Sequence, residues 1–342
     1  MEIGLDTFGD ITPDPHSGRA VSPAERYRDI IALAKLAEDA GFALFGAGEH
    51  HRLDIPVSSP AVLLAAIAGA TRRIRLASTV TILTTLDPVR VYQDFATLDL
   101  ASGGRAAIIA GRGAFFESFA LFGHDTADYD ALFDEHLDLL LKLRAAERVT
   151  WSGRFRPPLA DAAISPRALQ DPLPVWLGVG GNPESPIRAG RLGLPVILAN
   201  ISKPPAGFAD QIRAYREAGA AAGFPPERLK VGIGSHLYCD ADGGKARDEF
   251  YPYYSGYFLH HAPRTNYAAE VPRAVYDERV APKGPTFVGS PEEIVDKLGY
   301  ERELFRNDLF LGHFDIGGQP FAMAARTIEL VGARVIPVVK DW

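Results

Sequence analysis

Cys239 is the only cysteine among the 342 residues, so no disulfide can form within the chain and packing must hold the fold. Long apolar runs are missing as well. The longest, 61–68, falls far short of the roughly 18 consecutive apolar residues of a membrane-spanning helix, so no membrane partner is expected. Met1 leads into Glu2-Ile3-Gly4-Leu5 without a basic segment or a cleavable apolar stretch; no secretory leader is expected and a cytoplasmic location is. Basic charge is not in excess. The 36 Lys and Arg are interspersed with 43 Asp and Glu, a net charge of −7 that leaves no electrostatic footprint for nucleic acid. No repeat, low-complexity tract or compositional break marks a linker, so one unit over 1–342 is expected.

What the chain does have is a hydrophobic content of 47%, enough for a large core. Short β-like runs alternate with longer segments of helical period, the pattern of repeated βα units. The runs fall at 2–7, 43–48, 74–83, 105–110, 175–179, 196–200, 229–239 and 309–316. Eight such runs predict a closed (β/α)8 barrel, the TIM-barrel class. Ser22-Pro23, Ser59-Pro60, Asp87-Pro88, Asn182-Pro183 and Ser290-Pro291 each pair a capping side chain with a proline and mark helix starts; Gly41 marks a stop. In the first helix Ile30, Leu33, Ala34 and Ala37 share a face, with Arg26, Asp29 and Glu38 elsewhere. Two stretches break the alternation and are expected as insertions: 149–174, after the fourth helix and rich in Pro and Arg, and 242–286, after the seventh strand and rich in Tyr and His.

Barrel chemistry gathers at the carboxyl ends of the strands, so the residues just beyond each run are the candidates. After the second run stands Glu49-His50-His51; either imidazole can move a proton near neutrality, or simply satisfy loop hydrogen bonds. After the fourth stands Gly111-Arg112-Gly113, whose guanidinium can fork onto a phosphate or form a surface ion pair. After the fifth, Gly178-Val179-Gly180-Gly181-Asn182-Pro183-Glu184-Ser185 runs through a glycine turn into a helix start, an anion site or a tight βα turn. A phosphate cradle beside an imidazole describes a pocket for a phosphorylated cofactor. The run Phe250, Tyr251, Tyr253, Tyr254, Tyr257, Phe258 ahead of His260-His261 is either a cap over the substrate or packing on the barrel rim. Cys239 is expected to pack as a small hydrophobe, and His313 and Asp315 are candidates for the pocket wall.

Gly48-Glu49-His50-His51, Asp87-Pro88-Val89-Arg90 and Leu98-Asp99-Leu100-Ala101-Ser102-Gly103-Gly104-Arg105 come in that order, followed by Ala110-Gly111-Arg112-Gly113, Ser118-Phe119-Ala120-Leu121-Phe122-Gly123 and Gly181-Asn182-Pro183-Glu184-Ser185. Together they resemble the bacterial luciferase-like flavin monooxygenases over most of the chain, least between 242 and 286. The resemblance implies an oxidoreductase on a (β/α)8 barrel. It would bind reduced FMN delivered by a separate NAD(P)H flavin reductase and use O2 to oxygenate a small organic substrate, as a homodimer. It places His50 at the catalytic histidine, Arg112 at the flavin phosphate, and Gly180, Gly181, Asn182 and Ser185 at the phosphate turn. Thr79 and Val80 fall behind the flavin rings, joined by an expected non-prolyl cis peptide, with Glu49 and Gly111 also beside the cofactor. Light-emitting members carry a cysteine where Gly111 stands, so light emission is not expected.

Two other functions compete. A deazaflavin- or flavin-dependent reductase would use the same barrel and a similar phosphate site. A metal-dependent barrel hydrolase would need ligands from His50, His51, His313, Asp315 and Glu49; no His-x-His ends the first strand, and no metal is expected.

Overall fold

The computed structural model describes residues 1–201, 203–261 and 270–342. All eight predicted runs form strands, and we number these β1 (Glu2–Thr7), β2 (Leu44–Ala47), β3 (Arg75–Ser78), β4 (Ala106–Gly111), β5 (Val175–Val179), β6 (Val196–Ala199), β7 (Val231–Cys239) and β8 (Leu309–His313). Each pairs in parallel with the next and β8 pairs with β1, which closes the barrel and leaves no edge within it. The 74–83 run is divided: β3 ends at Ser78, and a two-residue continuation, Thr81–Ile82, pairs with β4.

Helices surround the barrel. Ser22 and Ser290 both form capping boxes, Asp87 accepts from the Val89 amide, and the Asn182 carboxamide accepts from the Glu184 amide at 3.0 Å. Ser59 starts its helix without a side-chain cap, and Gly41, at φ 89°, takes the left-handed turn beyond the first helix. The first helix, Pro23–Asp39, buries Ile30, Leu33, Ala34 and Ala37 as its period predicts. Arg26, placed with the polar residues by that period, is buried too. Its guanidinium reaches the carboxylate of Asp315 at 2.6 Å, and a paired charge can occupy a place that an unpaired one cannot.

The Pro- and Arg-rich stretch contains an antiparallel hairpin, Arg148–Trp151 with Leu159–Ala163, that buries Val149 and Trp151 in the main core. None of its residues lines the cavity at the barrel mouth. The aromatic run lies on the helix Gly243–His260. Phe250, Tyr253, Tyr254, Tyr257 and Phe258 form a second buried cluster with Tyr238 and Tyr276, so this part packs on the rim. The expected insertion also includes 262–269, which lies outside the described residues. Cys239 is buried, and burial pushes its thiol up to about 12, with Asp240 adding to the effect. Among the described residues no helix is long and apolar enough to cross a membrane.

Candidate active site

The strands deliver their carboxyl ends to a cavity of about 530 Å³, within the range of roughly 300–1,000 Å³ usual for small-molecule and cofactor sites. Its floor and sides are mostly apolar, from Val80, Ile109, Ile197 and Leu311. Polar groups are concentrated beyond β4 and β5, and across the barrel on β1, β7 and β8.

Beyond β4, Arg112 reaches over to the start of the helix that follows β5. Its Nη1 donates to the Ser185 hydroxyl at 2.6 Å, and its guanidinium stacks over Phe133 at 4.8 Å. Asp130 lies 3.3 Å from Nε. A second guanidinium, Arg188, faces the same ring at 5.5 Å; burial lowers its pKa, with Arg112 lowering it further. Gly180, Gly181 and Asn182 complete this wall. Nothing stands within 4 Å of where a Cβ would project from either glycine, so their backbone borders open space. Asp134 pairs with Arg188 as Asp130 does with Arg112, so the corner offers guanidinium and hydroxyl donors with bare backbone beside them, a donor set suited to a phosphate monoester.

Between the two polar ends lies Val80, joined to Thr79 by the expected cis peptide. A Cβ on Gly111 would stand 2.5 Å from Val80 Cγ2, and one on Gly178 would stand 2.9 Å from Cγ1. The space left by the missing side chain at Gly111 is therefore filled by valine and does not enlarge the substrate cavity.

Glu49 stands behind this wall and does not line the cavity. Its Oε2 accepts from the Ile82 amide at 2.9 Å, its Oε1 meets His51 Nε2 at 2.8 Å, and its own amide donates to the Val80 carbonyl at 3.1 Å. It braces the segment that carries Val80.

His50 is buried behind Phe8, with ring centroids 4.5 Å apart, and also contacts Phe115 at 5.4 Å. It too is absent from the cavity wall proper. Burial lowers its pKa to about 3, opposed by a hydrogen bond to the Gly48 backbone carbonyl, so the ring is neutral near physiological pH.

The third group was largely missed in the sequence. His313 lines the cavity as expected, but so do Asp6 and His236, and their strands hold the three in one row. Asp315 does not line the cavity; its carboxylate is committed to Arg26 and to the Thr7 hydroxyl at 2.7 Å. Gly232, Gly234 and His236 alternate along β7, a small-small-large pattern that marks an inward-facing register and was the available signal. Among the described residues no three His, Cys, Asp or Glu side chains are arranged to hold a metal ion.

Known proteins share this fold. A solved monooxygenase from Streptomyces bottropensis superposes with a TM-score of 0.85 at 27% identity, covering 99% of both chains. The oxygenating constituent of 3,6-diketocamphane monooxygenase from Pseudomonas putida, solved with FMN, shares the fold at a TM-score of 0.78 and 19% identity over 98% of each chain. In sequence, N-acetyl-S-alkylcysteine monooxygenase from Bacillus subtilis is 31% identical over 185 residues, 53% of either chain. The family model of luciferase-like monooxygenases matches residues 1–307, which takes in every strand end described above except that of β8, and the chain belongs to that family.

Proposed function

We propose that the chain is the oxygenating component of a two-component monooxygenase, taking reduced FMN from a separate NAD(P)H flavin reductase and using O2 to oxygenate a small organic substrate. The observation that carries this is the Arg112–Ser185 pair at 2.6 Å beside the open backbone of Gly180 and Gly181. FMN has a dianionic phosphate for that corner and a flat ring system for the apolar wall at Val80.

In this reading Arg112, Ser185 and the 180–182 turn hold the phosphate, while Val80, fixed by Glu49 through Ile82, backs the rings. Bound reduced FMN would supply the electrons that activate O2. The apolar walls keep water from the reacting centre. His50, neutral in the resting state, is the candidate proton carrier, and Phe8 must yield for it to reach a reacting atom in the cavity.

A homodimer is part of the same proposal. The helix Pro60–Ala70 contains no charged or polar side chain, yet it lies at the surface with Val62 69% exposed, near the sequence position of Leu53, 97% exposed. A surface helix that is apolar all round is suited to a partner subunit.

The test is an anaerobic titration with reduced FMN, followed by admission of air with and without candidate substrates. Saturable binding and O2 uptake coupled to oxygenated product would support the proposal. Preferential binding of a deazaflavin, with hydride transfer and no O2 uptake, would replace it with the reductase alternative.

A further inference from the structure

We propose that Asp6, His313 and His236 form a second polar subsite in the cavity, which binds a weakly acidic hydroxyl or an enolised carbonyl of the substrate as its oxyanion. The proposal rests on the flavin reading only in assigning the Arg112 side of the cavity to the cofactor and this side to the substrate.

The row follows from register. Asp6 of β1 lies opposite His313 of β8, which lies opposite His236 of β7. Side chains in one register row of adjacent parallel strands point to the same face, and all three reach the cavity. All are more than nine-tenths buried.

Asp6 Oδ2 stands 3.3 Å from His313 Nδ1, which orients the imidazole and leaves Nε2 for the cavity side. That Nε2 is buried and has no hydrogen-bond partner among the described residues; neither ring nitrogen of His236 has one. The two rings meet edge to face with centroids 5.6 Å apart. Tyr254, Tyr257 and Phe258 surround His236 at 5.7, 5.9 and 6.0 Å and hold its ring in place. Buried donors and acceptors left unmatched are costly, and three of them in one corner of a cavity form a site for a polar ligand atom.

Charge selects the ligand. Burial opposes protonation of His313, but Asp6 outweighs it, with Asp315 and Asp10 adding, so the pKa is raised and the ring is shifted towards its cationic form. Burial keeps His236 neutral, reinforced by His313 and by Arg279 from the adjoining helix. Tyr254 and Tyr257 face His236, and His50, across Phe8, interacts electrostatically with His313. One charge-assisted donor beside one neutral imidazole matches a single oxygen atom that bears negative charge. Phe8, Ile197 and Leu311 also line this side of the cavity, which suits an apolar body carrying that oxygen. Asp6 is a positioning residue that acts through His313.

The experiment uses para-nitrophenol, whose colour reports ionisation, with para-nitroanisole as the analogue that cannot ionise and dimedone as the enolic acid. The full chain is titrated with each, with and without FMN. We expect nitrophenol to bind as the phenolate below the pH at which it ionises in free solution, and nitroanisole to bind at least about tenfold more weakly. H313Q and H236Q should each weaken nitrophenol binding by about tenfold or more and leave nitroanisole unchanged. D6N should raise the pH at which bound nitrophenol ionises, and D6E should restore it, a readout that a purely structural role would not move. Dimedone competing with nitrophenol would extend the class to enols; failure to compete would confine it to phenols. Thermal melts check folding, and should H313Q not fold, H236Q and D6N carry the same test.

Equal binding of nitroanisole and nitrophenol, wild-type affinity in H313Q, or no nitrophenol binding by the wild-type chain would overturn the subsite. FMN titrated in parallel separates the two proposals: lost nitrophenol binding with intact FMN binding overturns the subsite alone, and the reverse overturns the flavin reading alone.

Discussion

Arg26 and Asp315, 289 residues apart in sequence, are joined by two hydrogen bonds from one guanidinium nitrogen: Arg26 Nη2 donates to the Asp315 carboxylate at 2.6 Å and to its carbonyl at 2.9 Å. The pair ties the first helix to the segment that leaves β8. Breaking a buried pair strands a charge, so Arg26→Ala should destabilise the fold by roughly 3–5 kcal/mol. Denaturant unfolding checks this. The double variant Arg26→Met with Asp315→Leu should lose less than the sum of the single variants, and simple additivity would count against the pairing.

Arg112→Ala should weaken FMN binding by about tenfold to a hundredfold while leaving the weaker binding of riboflavin, which lacks the phosphate, nearly unchanged. Titrating both flavins decides it. Equal losses for the two would mean that the guanidinium supports the pocket generally and does not grip phosphate.

The two histidines on either side of Phe8 should give opposite pH signatures. His50 takes up a proton near 6.5 when unfolded but only near 3 when folded, so the unfolded chain binds more protons between these values and stability falls as the pH drops from 6.5 towards 3. His313 is raised in the folded state, Asp6 prevailing over burial, so its contribution is present below 6.5 and is lost as pH rises through the folded value. His50→Asn should flatten the acid limb of a stability profile, and His313→Asn the limb above 6.5. Unfolding midpoints across pH would show whether the limbs respond separately.

Gly111→Ala should cost about 1–3 kcal/mol, because its new Cβ falls on the Val80 side chain and overpacks the wall. Adding Val80→Ala should recover much of that loss. Equal stability of Gly111→Ala and wild type in a chemical melt would refute the contact.

The barrel was legible in the sequence because period, proline and caps act locally: Ser22 and Ser290 form the capping boxes that their spacing suggests, and every strand run forms a strand. The meeting of Arg112 with the 180–185 turn was legible for a related reason, since residues just past two neighbouring strands are brought together wherever those strands pair. The Asp6, His313 and His236 row was not, because it exists only in the register between strands more than 70 residues apart, which no local pattern encodes. Arg26 was misplaced for the same reason: helical period assigns a charge to the outer face and cannot foresee a buried carboxylate from the far end of the chain. Glu49 was found by its motif, but its neighbours Ile82 and His51 make it a brace.

That brace has a second end. His51, which meets Glu49 at 2.8 Å, lies edge-on to Phe122 with centroids 5.0 Å apart, and Phe122 is 44% exposed. A continuous line of contacts thus runs from solvent through Phe122, His51 and Glu49 to the Ile82 amide. The wall at Val80 is linked to an exposed aromatic ring by side chains that do not themselves line the cavity.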